Sequence, residues 1–213
     1  MRDIIDVTIL MDCSGSMQSI KTDMEGALEA LIEEQKQYDD VVVSYYRFNS
    51  PGKFEEVFTN KSIKDVNKFE LKPTGQTALI DAWCEAMDRT GARLSAINEA
   101  DRPSKVLFVV ITDGEENASR EYTKQQLEEK VKTQEGTYNW KFLYLGANQV
   151  ASDVAKGYGT KVARTMAYTA NTDGMNAIRA FSVSALAAIR ENAWAAEDAS
   201  QSAVLKQETK KKK

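Results

Sequence analysis

Asp12, Ser14 and Ser16 sit at alternate positions in the stretch Asp12-Cys13-Ser14-Gly15-Ser16, directly behind an apolar run. One carboxylate and two hydroxyls in a short loop offer only hard oxygen ligands, the kind that Mg²⁺ takes. The same residue types also cap helices and make turns, so this loop alone leaves both chemistries open. Two other segments bear on the choice. Thr77 follows the loop Pro73-Thr74-Gly75 and precedes a helical pattern, and Asp113 ends the apolar run Val106–Thr112. Two aspartates held together without a counter-charge repel, and one of them tends to protonate. A divalent cation removes that conflict, and neutral hydroxyls complete its oxygen shell without adding charge.

The elements that must position these residues follow from hydrophobic periodicity. Residues 4–11, IIDVTILM, are short, β-branched and almost wholly apolar, as in a strand buried on both faces. From Met17 to Tyr38 the period becomes helical, with Ile20, Met24, Ala27, Leu28 and Leu31 on one face and Ser14 or Ser16 at the N-cap position. Strands are predicted at 41–49 and 54–59, joined by a hairpin at Pro51-Gly52. A helix face follows on Leu79, Ala82, Trp83, Ala86 and Met87. Then come a strand at 106–112, a polar helix around Lys124 to Lys132 and a strand at 140–146. A short helix near 149–157, a short strand near 164–168 and a long helix from about 173 to 194 complete the pattern. Strands alternating with helices predict an α/β fold, Rossmann-like and doubly wound, with a mostly parallel central sheet and helices on both faces. In such sheets ligands bind outside the carboxyl ends of the strands. Asp12 and Asp113 are expected at two of those ends, and Thr77 in the loop before a helix.

Composition narrows the chemistry further. The 213 residues include 28 basic and 32 acidic side chains, for a formal charge of −4. Without Lys210–Lys213 the balance is 24 to 32, or −8, which does not favour a specific nucleic-acid reader. The absence of histidine removes His-based acid–base catalysis, Ser-His-Asp triads and His zinc sites. Cys13 and Cys84 form no CxxC pair and are expected to be free thiols in a reducing compartment. No secretion signal or membrane-spanning run is expected, so the anticipated location is the cytoplasm of a bacterial host cell.

The motif D-x-S-x-S at 12–16, the threonine in PTGQTALIDA and the ITDG at 111–114, in that order, resemble the metal-ion-dependent adhesion site of the von Willebrand factor A (vWA) domain family. The resemblance covers about residues 3 to 195. ITDGEENAS and FLYLGANQ look closer still to small bacterial and phage-encoded single-domain members, among them proteins associated with tellurium resistance and with ATPase or chelatase partners. It implies a vWA domain over 1–195, with 196–213 as a helical extension or a flexible lysine-rich tail, and a sheet with one antiparallel edge strand. It implies Mg²⁺, or Mn²⁺, held by Ser14 and Ser16, by Thr77 directly or through water, and by Asp12 and Asp113 as charge-balancing groups. The open metal position would take an Asp or Glu carboxylate from a partner protein.

Glu115, Glu116 and Asn117 are candidates for a partner-binding rim, with a solvated loop as the equal alternative. Asn148 and Gln149 lie at another strand end, where they could contact a partner or cap a helix. Cys13 is expected to be inert, because a neighbouring carboxylate raises a thiol's pKa. Trp83, Trp140 and Trp194 are expected to pack. The expected activity is therefore Mg²⁺-dependent protein–protein interaction and not catalysis. One alternative is structural self-assembly through the same site or the C-terminal helix, with monomer and assembly both open. A metal-dependent hydrolase ranks lower, since no general base has a dedicated position and there is no GxxxxGK[ST] and no D-x-D pair.

Overall fold

The computed structural model describes residues 2–147, 157–159, 165–168 and 172–191. Six strands form one sheet: β1 (Arg2–Asp12), β2 (Val41–Phe48), β3 (Phe54–Ser62), β4 (Pro103–Thr112), β5 (Lys141–Ala147) and β6 (Thr165–Tyr168). Their spatial order is β3-β2-β1-β4-β5-β6. Every neighbouring pair is parallel except β2–β3, which is the antiparallel edge. The connecting helices are α1 (Lys21–Gln35), α2 (Leu79–Ser95), α3 (Lys124–Thr137) and α4 (Thr172–Arg190). No helix among the described residues is long and apolar enough to cross a membrane.

Period-two alternation along β1 splits its side chains between two cores. Ile5, Val7, Ile9 and Met11 pack with Met24 and Leu28 of α1 and with Ile178 and Leu186 of α4. Leu10 joins the opposite core with Phe108 and Val110 of β4, Trp83 and Met87 of α2, and Leu127 and Val131 of α3. Each such large apolar side chain contributes about 1.5–3 kcal/mol when fully buried. Trp83 and Trp140 are both core residues, as expected. Asp6 breaks the apolar run in sequence, yet it is fully buried on the α2 side. There Arg93 Nη1 and Nη2 donate to its two carboxylate oxygens at 2.7 and 2.9 Å. Thr8, also buried, meets Thr90 of α2 at 3.2 Å. These even-numbered polar residues and Asp12 share one face of the strand.

Several boundaries differ from the sequence expectation for physical reasons. The Pro51-Gly52 hairpin is present: Lys53 N–H donates to Ser50 O at 2.9 Å, and Gly52 takes φ +70°, the conformation a type II turn needs. Beyond residue 59, β3 runs on to Ser62 through an irregular register. The helix expected from Met17 begins instead as a 3₁₀ turn, Gly15–Ile20, and becomes α-helical only at Lys21. Ser14 stands at the N-cap position of this turn, as expected, but its hydroxyl makes no capping hydrogen bond and meets the Ser16 hydroxyl instead. By contrast α3 starts on a full capping box between Thr123 and Gln126. The helix expected near 149–157, Asn148, Gln149, Trp194 and the segment 196–213 lie outside the described residues, except that Gly157 is helical.

Candidate functional site

The carboxyl ends of β1 and β4 are adjacent because the two strands pair in parallel, Met11 opposite Ile111. This register sets Asp12 beside Thr112, and Thr112 Oγ1 donates to Asp12 Oδ2 at 2.7 Å. The Ser14 N–H donates to Asp12 Oδ1 at 2.7 Å. Both oxygens of this fully buried carboxylate are therefore oriented by the protein. The loop then turns outward. Ser14 Oγ and Ser16 Oγ lie 3.0 Å apart, and Ser16 Oγ donates to Asp113 Oδ1 at 2.7 Å. The two serines thus connect Asp12 to Asp113 across the strand ends.

Thr77 reaches the same place from the loop before α2. A reciprocal pair holds its backbone: Thr77 N–H donates to Asn117 Oδ1 at 3.0 Å, and Asn117 N–H donates to Thr77 O at 3.1 Å. Its hydroxyl makes no hydrogen bond among the described residues. Gly114 marks the point of convergence. A Cβ there would lie 3.2 Å from Thr77 Oγ1 and 3.8 Å from both Asp12 Oδ2 and Ser16 Oγ. A side chain at this position would crowd the Thr77 hydroxyl by a few tenths of an ångström and would stand in ordinary contact with the other two oxygens.

Electrostatics match this crowding. Burial pushes the Asp12 carboxyl up to about 6; hydrogen bonds from Thr112 and Ser14 oppose the shift, and the charge of Asp113 adds to it. Burial also raises the Asp113 carboxyl, against the hydrogen bond from Ser16. No cationic side chain is among the groups acting on either carboxylate. Two acids and three hydroxyls with no counter-charge form a donor set that fits a hard divalent cation such as Mg²⁺ or Mn²⁺. Among the described residues no group of three or more Asp, Glu or Cys side chains is placed to hold a metal ion, so the donor set here is two carboxylates with hydroxyls.

The segment after Asp113 divides its work. Glu115 is exposed. Glu116 faces α2 and accepts from the N–H groups of Ile80, Ala118 and Ser119 and from the Ser119 hydroxyl, at 2.7–2.9 Å. Asn117 clasps Thr77 as described. Two of the three proposed rim residues thus tie the loop to the start of α2. Thr112 and Gly114 are the site residues that the sequence reading passed over, although both lie inside the ITDG motif. Tyr168 of β6 supports the same corner, its hydroxyl donating to Thr112 O at 3.1 Å. Cys13 is buried, with its thiol pushed up to about 11; burial is the chief cause and the adjacent Asp12 a smaller one. Cys84 is pushed up to about 12, again by burial.

No family model matches the sequence, and no curated protein matches it. Solved structures do. The pilus adhesin SpaC from Lactobacillus rhamnosus GG, in its open conformation, aligns with a TM-score of 0.62 at 13% identity over 90% of this chain and 30% of its own. Proximal thread matrix protein 1 from the mussel byssus aligns at 0.57 with 15% identity, over 84% and 44%. The ArnB paralog VWA2 from Sulfolobus acidocaldarius aligns at 0.56 with 13% identity, over 84% and 44%. The chain spans less than half the length of these proteins. At such identities the likeness is one of fold: a Rossmann-like sheet of the vWA type.

Proposed function

We propose that the chain is a member of the vWA family and works as a Mg²⁺-dependent protein-interaction module. In this reading Asp12, Ser14, Ser16, Thr77 and Asp113 hold the cation, Mn²⁺ being an alternative, and a partner protein supplies an Asp or Glu carboxylate. The observation that carries it is the convergence of Asp12, Ser16 and Thr77 oxygens on the space beside Gly114. The cation would supply the positive charge that two neighbouring carboxylates lack and a docking point for an acidic group. The chain's own residues prepare that point. Thr112 and the Ser14 N–H hold Asp12 in place, Ser16 ties Asp113 to the loop, and Asn117 fixes the backbone behind the Thr77 hydroxyl. The fold likeness to proteins described as a pilus adhesin and a thread matrix protein supports a role in contact with other proteins.

Capture fits the site better than turnover. Both Asp12 oxygens already accept hydrogen bonds from the protein, which suits a charge-balancing group more than a free base. The test is an affinity pull-down with Mg²⁺ and with chelator, comparing wild type, Thr77→Val and Asp12→Ala. Thr77→Val keeps the volume and removes only the hydroxyl. Partners retained in Mg²⁺ and lost in chelator and in both variants are the expected result. Recovery of the same partners under all conditions would rule the metal out as the recognition element. Size measurement with and without Mg²⁺ separates self-assembly from capture of a different chain.

A further inference from the structure

Tyr168 ends β6, the strand at the opposite edge of the sheet from the β2–β3 hairpin. Its side chain is 3% exposed and lies in the core that also holds Ile111 of β4, Leu145 of β5 and Ile178 of α4. A phenol buried among apolar side chains needs a partner for its hydroxyl. It finds one across β5, where Tyr168 Oη donates to Thr112 O at 3.1 Å. Burial, with smaller effects from the charges of Asp113 and Asp12, raises this phenol well above its ordinary value, so it keeps its proton and acts as a donor.

The carbonyl it holds belongs to the peptide that joins Thr112 to Asp113. Peptide units are planar, so a bond that fixes this carbonyl also fixes the nitrogen and Cα of Asp113 beyond it. The next peptide is held from the same residue, since Gly114 N–H donates to Thr112 Oγ1 at 3.1 Å. Thr112 Oγ1 in turn donates to Asp12 Oδ2 at 2.7 Å, which anchors Thr112 to β1. The backbone of Asp113 is thus clamped on both sides, and the Ser16 hydroxyl orients its carboxylate at 2.7 Å. We propose that Tyr168 is a positioning residue for the cation site, setting the backbone from which Asp113 reaches the cation. It acts through Thr112 and Asp113, not on the cation. The inference rests on the cation-binding reading given above.

The experiment compares the full chain with Tyr168→Phe, which keeps the ring and removes only the hydroxyl, and with Ile178→Val, which trims the same core. In chelator, nitrogen–proton correlation spectra follow the Asp113 amide, whose nitrogen shares a peptide with the Thr112 carbonyl. That signal is expected to shift in Tyr168→Phe and to stay in place in Ile178→Val. Titration calorimetry with Mg²⁺ follows, at a temperature where melting curves show all three proteins folded. The dissociation constant is expected to rise about three- to tenfold in Tyr168→Phe, as loss of one ordinary hydrogen bond implies, and to be unchanged in Ile178→Val. An unmoved Asp113 amide, equal affinity in wild type and Tyr168→Phe, or equal weakening in both variants would overturn the role of Tyr168 and leave the cation site standing. No saturable Mg²⁺ binding in wild type would overturn the cation-binding reading, and this inference with it.

Discussion

Asp12 bears the main electrostatic burden of the candidate site. Burial raises its carboxyl in the folded protein to about 6, from an ordinary 3.8. Between those values the folded state holds a proton that the unfolded chain has released. Metal-free stability must therefore fall as pH rises through this window, by on the order of 3 kcal/mol in full. Below about pH 4 both states are protonated and Asp12 contributes no slope. Asp12→Asn should remove this component of the pH dependence and, in chelator at pH 7, leave the protein more stable than wild type. Chemical denaturation from pH 4 to 7 measures it, and identical slopes in the two proteins would contradict the assignment. The serine, threonine and aspartate residues that the structure brings together were legible in sequence, because their types and order suggest oxygen ligands for a hard cation. Thr112 was not: a threonine at the end of an apolar strand reads as β-branched filler until the β1–β4 register sets its hydroxyl against Asp12.

The elements around the site are held by side chains that reach across loops. Glu116 accepts from Ile80 N–H at the start of α2. Asp81, one residue on, accepts from the N–H groups of Arg120, Glu121 and Tyr122. These reciprocal contacts lock the 113–122 loop to the helix that follows Thr77. Glu116→Ala should cost about 1–3 kcal/mol, since it leaves backbone donors at a helix start without their acceptor. Denaturant melts in chelator measure the loss, and a change below a few tenths of a kcal/mol would show that water replaces the carboxylate. Among the described residues, periodicity located the strands to within about three residues, because burial on one face repeats at fixed spacing. It could not locate the start of α1 at Lys21, because a 3₁₀ turn, Gly15–Ile20, lies between that helix and the Asp12–Ser16 loop. Nor could it show that Asp6 pairs with Arg93 at a distance of 87 residues.

At the scale of the whole molecule, the parallel sheet brings three segments distant in sequence to one edge. A doubly wound, mostly parallel sheet with one hairpin at Pro51-Gly52 was readable from alternating strands and helices, and the antiparallel edge from the family resemblance. The strand order β3-β2-β1-β4-β5-β6 was not, since adjacency is decided by packing rather than local pattern. Because the proposed cation would bind the assembled ends of β1 and β4 and not the unfolded chain, it should stabilise the fold by mass action. At a free Mg²⁺ concentration about 100 times the dissociation constant, the gain should be about 2.7 kcal/mol. Thermal melts across that range, with and without chelator, check this, and a melting temperature insensitive to Mg²⁺ would contradict it. The most direct measurement of the central claim is titration calorimetry of Mg²⁺ and Mn²⁺ into wild type, Asp12→Ala, Thr112→Val and Thr112→Ser near neutral pH. One saturable site per chain is expected, sharply weakened by Asp12→Ala, weakened by Thr112→Val and restored by Thr112→Ser. No saturable heat in wild type, or equal affinity in wild type and Asp12→Ala, would contradict it.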